Sequence, residues 1–190
     1  MSRQHIVPRS DPTDLDFVDT LNDAFDDIAV SKGYRFRYSF SQQGGEGLVR
    51  LGYMEDKKRA AISLVDDNHS EVRYLIVEGE SDQTVSEIAS ALRERLPVIP
   101  LAELEETARR NFAQDPKTLI RLAVGSGERE DATAAAIIRQ ALDHPDRNVR
   151  LKAVEAASIT QWSSLLPELE RKRGEDPDPE VRETAGRALG

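Results

Sequence analysis

Apolar and polar positions change their period twice along the chain, dividing it into a helix, a run of strands and a long helical stretch. Leu15, Val18, Leu21, Phe25 and Ile28 recur at spacings of three and four, which is one apolar stripe along a helix. Asp14, Asp16, Asp19, Asp23, Asp26 and Asp27 cover the rest of it. Asp11 and Pro12 open this helix, as a cap acceptor and a proline at the first helical position, and Gly33 stops it. Aspartate is a modest helix former, so packing of the stripe must hold the helix together. Residues 1–10 read as a loose arm.

The period then becomes two. Tyr34, Phe36, Tyr38 and Phe40 alternate with Arg35, Arg37, Ser39 and Ser41, as on a half-buried strand. Gly44, Gly45 and Gly47 make a turn, and Val49, Leu51 and Tyr53 continue the alternation on a second strand. Ile62 and Leu64 mark a third strand beyond Asp56, Lys57 and Lys58. Val72, Tyr74 and Ile76 mark a fourth beyond the polar turn at Asp66–Ser70. The short connections favour an antiparallel meander. A helix follows from Ser81 to Leu96, with Val85, Ile88, Ala89 and Leu92 on one side and its cap at Ser81, Asp82 or Thr84. The pattern predicts a two-layer α+β domain over residues 11–96: helix, four-stranded antiparallel sheet, helix. Both helices cover the aromatic face, with Phe36, Tyr38, Leu51, Ile62, Leu64, Tyr74 and Ile76 in one core. Pro97 and Pro100 mark the junction.

Residues 99–190 read as helix throughout, and one phrase returns three times. A proline is followed four positions on by an aliphatic residue and five positions on by an arginine: Pro116, Ile120, Arg121; Pro145, Val149, Arg150; Pro177, Val181, Arg182. Each copy opens a helix with its proline. Ala153 and Ala156 in the second copy match Ala185 and Ala188 in the third, where small side chains let helices approach. In the first copy Gly125 and Gly127 predict a short helix. Helices over 129–142 and 161–173 separate the copies. Spacings near 30 residues signal stacked helical pairs.

This phrase resembles HEAT repeats, of the short variety in phycobilisome-lyase-like proteins. The resemblance implies a small helical repeat stack over residues 99–190 and recognition of another protein. It further implies that Arg121, Arg150 and Arg182 bond to neighbouring aspartates or loop carbonyls. It covers two to three units, the last phrase opening what would be the first helix of an unfinished pair. No bilin-site signature accompanies it, so lyase chemistry is not implied.

Composition narrows the remaining classes. The chain has 190 residues, 32% of them charged, a net charge of -9 and no cysteine. Disulfides, thiolate metal sites and cysteine nucleophiles are excluded, and the absence of cysteine fits a reducing cytoplasm. The acidic balance disfavours binding to nucleic acid through phosphates. No apolar run is long enough to cross a bilayer, and the first residues lack a secretory apolar core. His5, His69 and His144 are not at metal-ligand spacing; His69, with Asp66, Asp67 and Glu71, reads as a solvated turn. The glycines at 44–47 lack the helix and lysine of a phosphate loop. Arg171, Lys172 and Arg173 suit the negative end of a helix. The reading is no enzyme, no cofactor and no metal.

One constellation remains. If the aromatics of the first strand face the helices, alternation places Arg35, Arg37, Arg50, Arg59 and Arg73 together on the opposite face, beside Leu48, Met54, Val65, Leu75 and Val77. Arginine among apolar neighbours suits an interface. The expectation is a cytoplasmic adaptor or scaffold that binds another protein, a second copy of itself included, through this face and the repeat stack. The alternatives are an inhibitor of one partner, in the manner of an immunity protein, and a ligand-binding or enzymatic module with its site between the domains.

Overall fold

The structure is a computed structural model describing residues 2–9, 15–44, 48–67 and 71–190, in two compact units, Met1–Ile99 and Pro100–Gly190. The cap at Asp11 and Pro12, the turn at 45–47 and the turn holding His69 lie outside the described residues.

Helix α1 (Leu15–Lys32) buries Phe17, Leu21, Ala24, Phe25 and Ile28, one stripe at helical spacing, and leaves its aspartates in water. The stripe packs on a sheet of five strands, β1 (Ser2–Ile6), β2 (Phe36–Gln43), β3 (Leu48–Glu55), β4 (Ala60–Asp67) and β5 (Val72–Gly79), in the order β1-β5-β4-β3-β2 and antiparallel throughout. Helix α2 (Asp82–Arg95) covers the same face with Val85, Ile88, Ala89 and Leu92. Its N-cap is Ser81, whose hydroxyl accepts from the Thr84 amide at 3.1 Å.

The sheet differs from the predicted four strands in three respects. Half of the predicted arm is strand β1, paired with β5 and tied to α2 where Arg93 donates to Gln4 Oε1 at 2.9 Å and to the His5 carbonyl at 3.3 Å. The Val7 carbonyl accepts from the Ile99 amide at 2.9 Å, so the segment is stitched down beyond the strand as well. Second, β5 lies in the opposite register. Leu75 and Val77 face the helices, opposite Leu64 and Ile62, while Tyr74 and Ile76 face away and are not in that core. Third, Tyr38 is 59% exposed. It lies on edge strand β2, where the register shifts between Tyr38 and Phe40. That bulge turns Phe40 to the other face, opposite Gly52, where a Cβ on Gly52 would meet the ring at 2.1 Å.

The second unit is three helical pairs: α3 (Leu101–Asn111) with α4 (Lys117–Ser126), α5 (Ala132–Leu142) with α6 (Arg147–Thr160), and α7 (Leu166–Glu175) with α8 (Pro179–Ala188). Helices α4, α6 and α8 stack in one layer, and α3, α5 and α7 in the other. The recurring phrase opens the second helix of each pair. The last phrase therefore completes a third pair instead of starting a fourth. Prolines 145 and 177 stand one residue before the caps, and Asp146 and Asp178 do the capping. Gly125 lies inside α4; Gly127, at φ +70°, ends it. Ile120, Val149 and Val181 are buried, and Ala153, Ala156 and Ala185 have no exposed surface. Ala185→Leu is therefore expected to overpack the stack around α8 and to cost about 1–3 kcal/mol, read as a lower urea midpoint. A variant as stable as wild type would mean that the packing around α8 has slack.

Candidate interaction surfaces

The register separates the five arginines. Arg37 and Arg50 lie on the face away from the helices, paired across from Met54 and Val65. Arg73 lies opposite Asp66 on the helix-covered face and binds it at 2.8 Å. Arg59, in the β3–β4 turn, holds Glu55 at 2.9 Å and stacks 4.6 Å from the centre of the Tyr34 ring. Glu55 is 1% exposed and also accepts from the Lys57 and Arg59 amides at 3.0 and 3.1 Å. The hydrogen bond from Arg59, followed by the opposing effect of burial and then the amide bonds, leaves its carboxyl below the usual range. Arg59 and Glu55 thus staple a turn.

Arg50 is occupied too. Its Nε donates to Ser63 at 2.8 Å, its Nη2 binds Glu78 at 2.8 Å, and its guanidinium lies 5.9 Å from the Phe40 ring centre. Arg3 binds the same Glu78 at 3.2 Å, and His5 packs edge-on against Tyr74. Two aromatic rings, Phe40 and Tyr74, therefore sit on the face expected to lack them. The expected five-arginine face is instead a paired polar network around Arg50. The arginines that stay open are Arg35, which is exposed just ahead of β2, and Arg37, whose side chain is 75% exposed while reaching Asp56 at 2.9 Å. They stand at the start of β2, an edge strand with no further strand beside it among the described residues, where Tyr38, Ser39, Ser41, Gln42 and Gln43 are also exposed.

In the helical unit two arginines of the phrase share one geometry. Arg150 Nη1 donates to the carbonyls of His144 and Pro145 at 3.0 and 2.8 Å, six and five residues back. Arg182 Nη1 does the same to Asp176 and Pro177 at 2.6 and 3.2 Å. The other edge of Arg150 forks onto Asp176 of the next pair, Nε at 2.9 Å and Nη2 at 3.0 Å, with the carboxylate side chain fully buried. The carbonyl bonds repeat in the second and third pairs, and the Arg150 fork bridges those two pairs. Residues 101–190 match the family model for HEAT repeats. Neither a curated protein nor a solved structure matches the chain.

Within the HEAT unit the inter-pair bonds continue from Asp176. Lys172 lies 3.6 Å from Asp176 and 3.2 Å from Asp143, and Arg171 binds Asp143 at 2.6 Å and Glu168 at 2.8 Å. The hydrogen bond from Arg171 chiefly holds the Asp143 carboxyl below its usual value. Arg171 and Lys172 thus join pairs as well as suiting a helix end. The first pair departs from the pattern: His144 stands where Asp176 does, and Arg121 reaches only Asp115, at 3.9 Å. His144 packs edge-on against Phe112, and its Nδ1 accepts from the Asp146 amide at 3.2 Å, helping to start α6. Among the described residues no group of histidines and carboxylates could hold a metal, and no helix is long and apolar enough to cross a membrane.

Proposed function

We propose that the protein is a non-catalytic cytoplasmic adaptor that binds another protein. The HEAT match over residues 101–190 carries this reading, because such stacks are surfaces for partners. In the sheet unit the open edge of β2, with Arg35, Arg37 and Tyr38 exposed, is the contact surface we put first. An added strand would gain main-chain bonds there, and the two arginines favour an acidic one. Arg50, Arg59 and Arg73 support the fold around it.

The test is affinity capture from the native organism, comparing wild type with an Arg35→Glu, Arg37→Glu double variant. Both side chains are solvated, so the variant is expected to fold, which circular dichroism checks. Wild type should retain a specific protein that the variant loses, with the difference shrinking at higher salt. Identical retention by the two would remove β2 from the account.

A further inference from the structure

The residue just before the proline of each phrase has the same task. Asp115 Oδ1 accepts from the Lys117 amide at 3.3 Å, His144 Nδ1 from the Asp146 amide at 3.2 Å, and Asp176 Oδ1 from the Asp178 amide at 3.0 Å. Each closes the turn that leads into the second helix of its pair. Two of the three acceptors are carboxyl groups, which keep an accepting oxygen whether ionised or protonated. The middle one is an imidazole, half-buried against Phe112. Its Nδ1 accepts only while the ring is neutral, so this bond assigns the ring proton to Nε2.

Protonation acts twice at this place. It takes the acceptor away from the Asp146 amide, and it makes Nδ1 a donor inside the turn that holds the cap of α6. That cap is Asp146 itself, whose Oδ1 accepts from the Asn148 amide at 2.7 Å. The charged groups around the ring leave Asp146 as the acid open to it. On the same turn Asp143 already holds Arg171, at 2.6 Å, and Lys172, at 3.2 Å, from α7. On α6 Arg150 donates to the His144 carbonyl at 3.0 Å, and its fork has taken Asp176. On α4 Arg121 stays with its own Asp115, at 3.9 Å. The end of α3 brings the edge-on Phe112 ring, its centre 5.8 Å away, which carries no counter-charge. Asp146 pairs with no cation among the described residues, and its carboxylate is needed at the cap.

We propose that His144 makes the HEAT unit pH-sensitive at the start of α6: the neutral ring closes the turn ahead of the helix, and the protonated ring releases the Asp146 amide, competes for the cap carboxylate and frays the first turn. Helix α6 packs on both α4 and α8, so fraying it loosens the stack on two sides. The sign follows from the bond. Only the neutral ring makes it, so its stabilisation is present above the histidine range and lost as pH falls through that range. The inference goes beyond the adaptor reading: it concerns when the unit is firm, whichever partner it binds. Histidine is the side chain that ordinarily changes charge between about pH 5 and 8, and His144 is the one histidine in residues 100–190.

The experiment compares full-length wild type with His144→Asn, whose amide oxygen can take the same bond and does not titrate. His144→Asp, which repeats the residue of the other two copies, is the second variant should asparagine pack poorly. Urea unfolding followed by Trp162 fluorescence is measured at steps from about pH 8 to about pH 5. The folding equilibrium of wild type is expected to fall roughly tenfold further across that range than that of either variant, the worth of one hydrogen bond and part of a cap. In nitrogen-15 spectra of the wild type, the Asp146 and Asn148 amide resonances should move with the ring resonances of His144. Wild type and both variants losing stability in parallel would overturn the proposal. So would a ring that stays neutral down to about pH 5, or an Asp146 amide that does not move while the ring titrates.

Discussion

Replacing Arg150 with alanine is expected to destabilise the HEAT unit by about 3–5 kcal/mol, because it strands a buried carboxylate. The Asp176 side chain has no exposed surface, and Arg150 supplies both of its charged hydrogen bonds, at 2.9 and 3.0 Å. The same substitution removes the donor from the His144 and Pro145 carbonyls. Lys172, at 3.6 Å, is the remaining cation and too far for a good hydrogen bond. Trp162, the single tryptophan, is 3% exposed in this unit, so urea unfolding followed by its fluorescence reports the change. A loss below about 1 kcal/mol would mean that water reaches Asp176.

The same pair has a pH signature with a definite sign. Burial pushes the Asp176 carboxyl up; the hydrogen bonds from Arg150 and the Asp178 amide, with the charges of Arg150 and Lys172, outweigh it and hold the group below its ordinary value of 3.8. A depressed carboxyl stabilises the fold at neutral pH, in full above its unfolded value, and that stability is lost as pH falls through the folded value. In Arg150→Ala burial acts with far less opposition, so the folded value rises and protonation relieves the stranded charge. The gap between wild type and variant should therefore narrow as the pH drops towards and below 3.8. A gap independent of pH would place the cost in lost packing rather than in the carboxylate.

Legibility followed redundancy. The HEAT phrase was readable because each copy combines proline, an inward aliphatic residue and an arginine, and Arg150 and Arg182 bond as that phrase implies. Its place within the pair was not readable, because α3, the first helix, carries no copy of it. In the sheet unit, alternation identified β2, β3 and β4. It failed at β5, where Val72, Leu75, Ile76 and Val77 are buried although they fall on both faces. A central strand filled on both sides has no period to read. It failed at β1 for the opposite reason: Ile6 is the only strongly apolar residue there, and the strand is held by backbone pairing and by Arg93. The bulge after Tyr38 has no marker such as glycine, so strict alternation misplaced Phe40. These errors together assembled five arginines on one face. The true register disperses them, and the pairs of Arg50, Arg59 and Arg73 depend on partners 4 to 28 positions away that no local pattern shows.

Phe25→Ala is expected to be the most damaging single truncation in the sheet unit, costing about 3–5 kcal/mol. Phe25 packs α1 against the edge half of the sheet. Its ring centre lies 5.2 Å from that of Phe36 on β2 and 5.1 Å from that of Tyr53 on β3, both tilted. Phe36 and Tyr53 are only partly buried, so losing the ring between them opens the core toward solvent instead of leaving a sealed cavity. Leu21 and Ile28, one turn to either side, are themselves buried in the same core. All four tyrosines, Tyr34, Tyr38, Tyr53 and Tyr74, belong to this unit, so near-ultraviolet circular dichroism during urea unfolding follows its transition in a Trp162→Phe background, which removes the tryptophan signal of the other unit. Tyr38→Ala is the control, because that ring is 59% exposed and meets Tyr53 only edge-on at 6.0 Å. Its cost should stay within about 1 kcal/mol. Should the two variants unfold at the same urea concentration, the packing of α1 against β2 and β3 described above would be wrong.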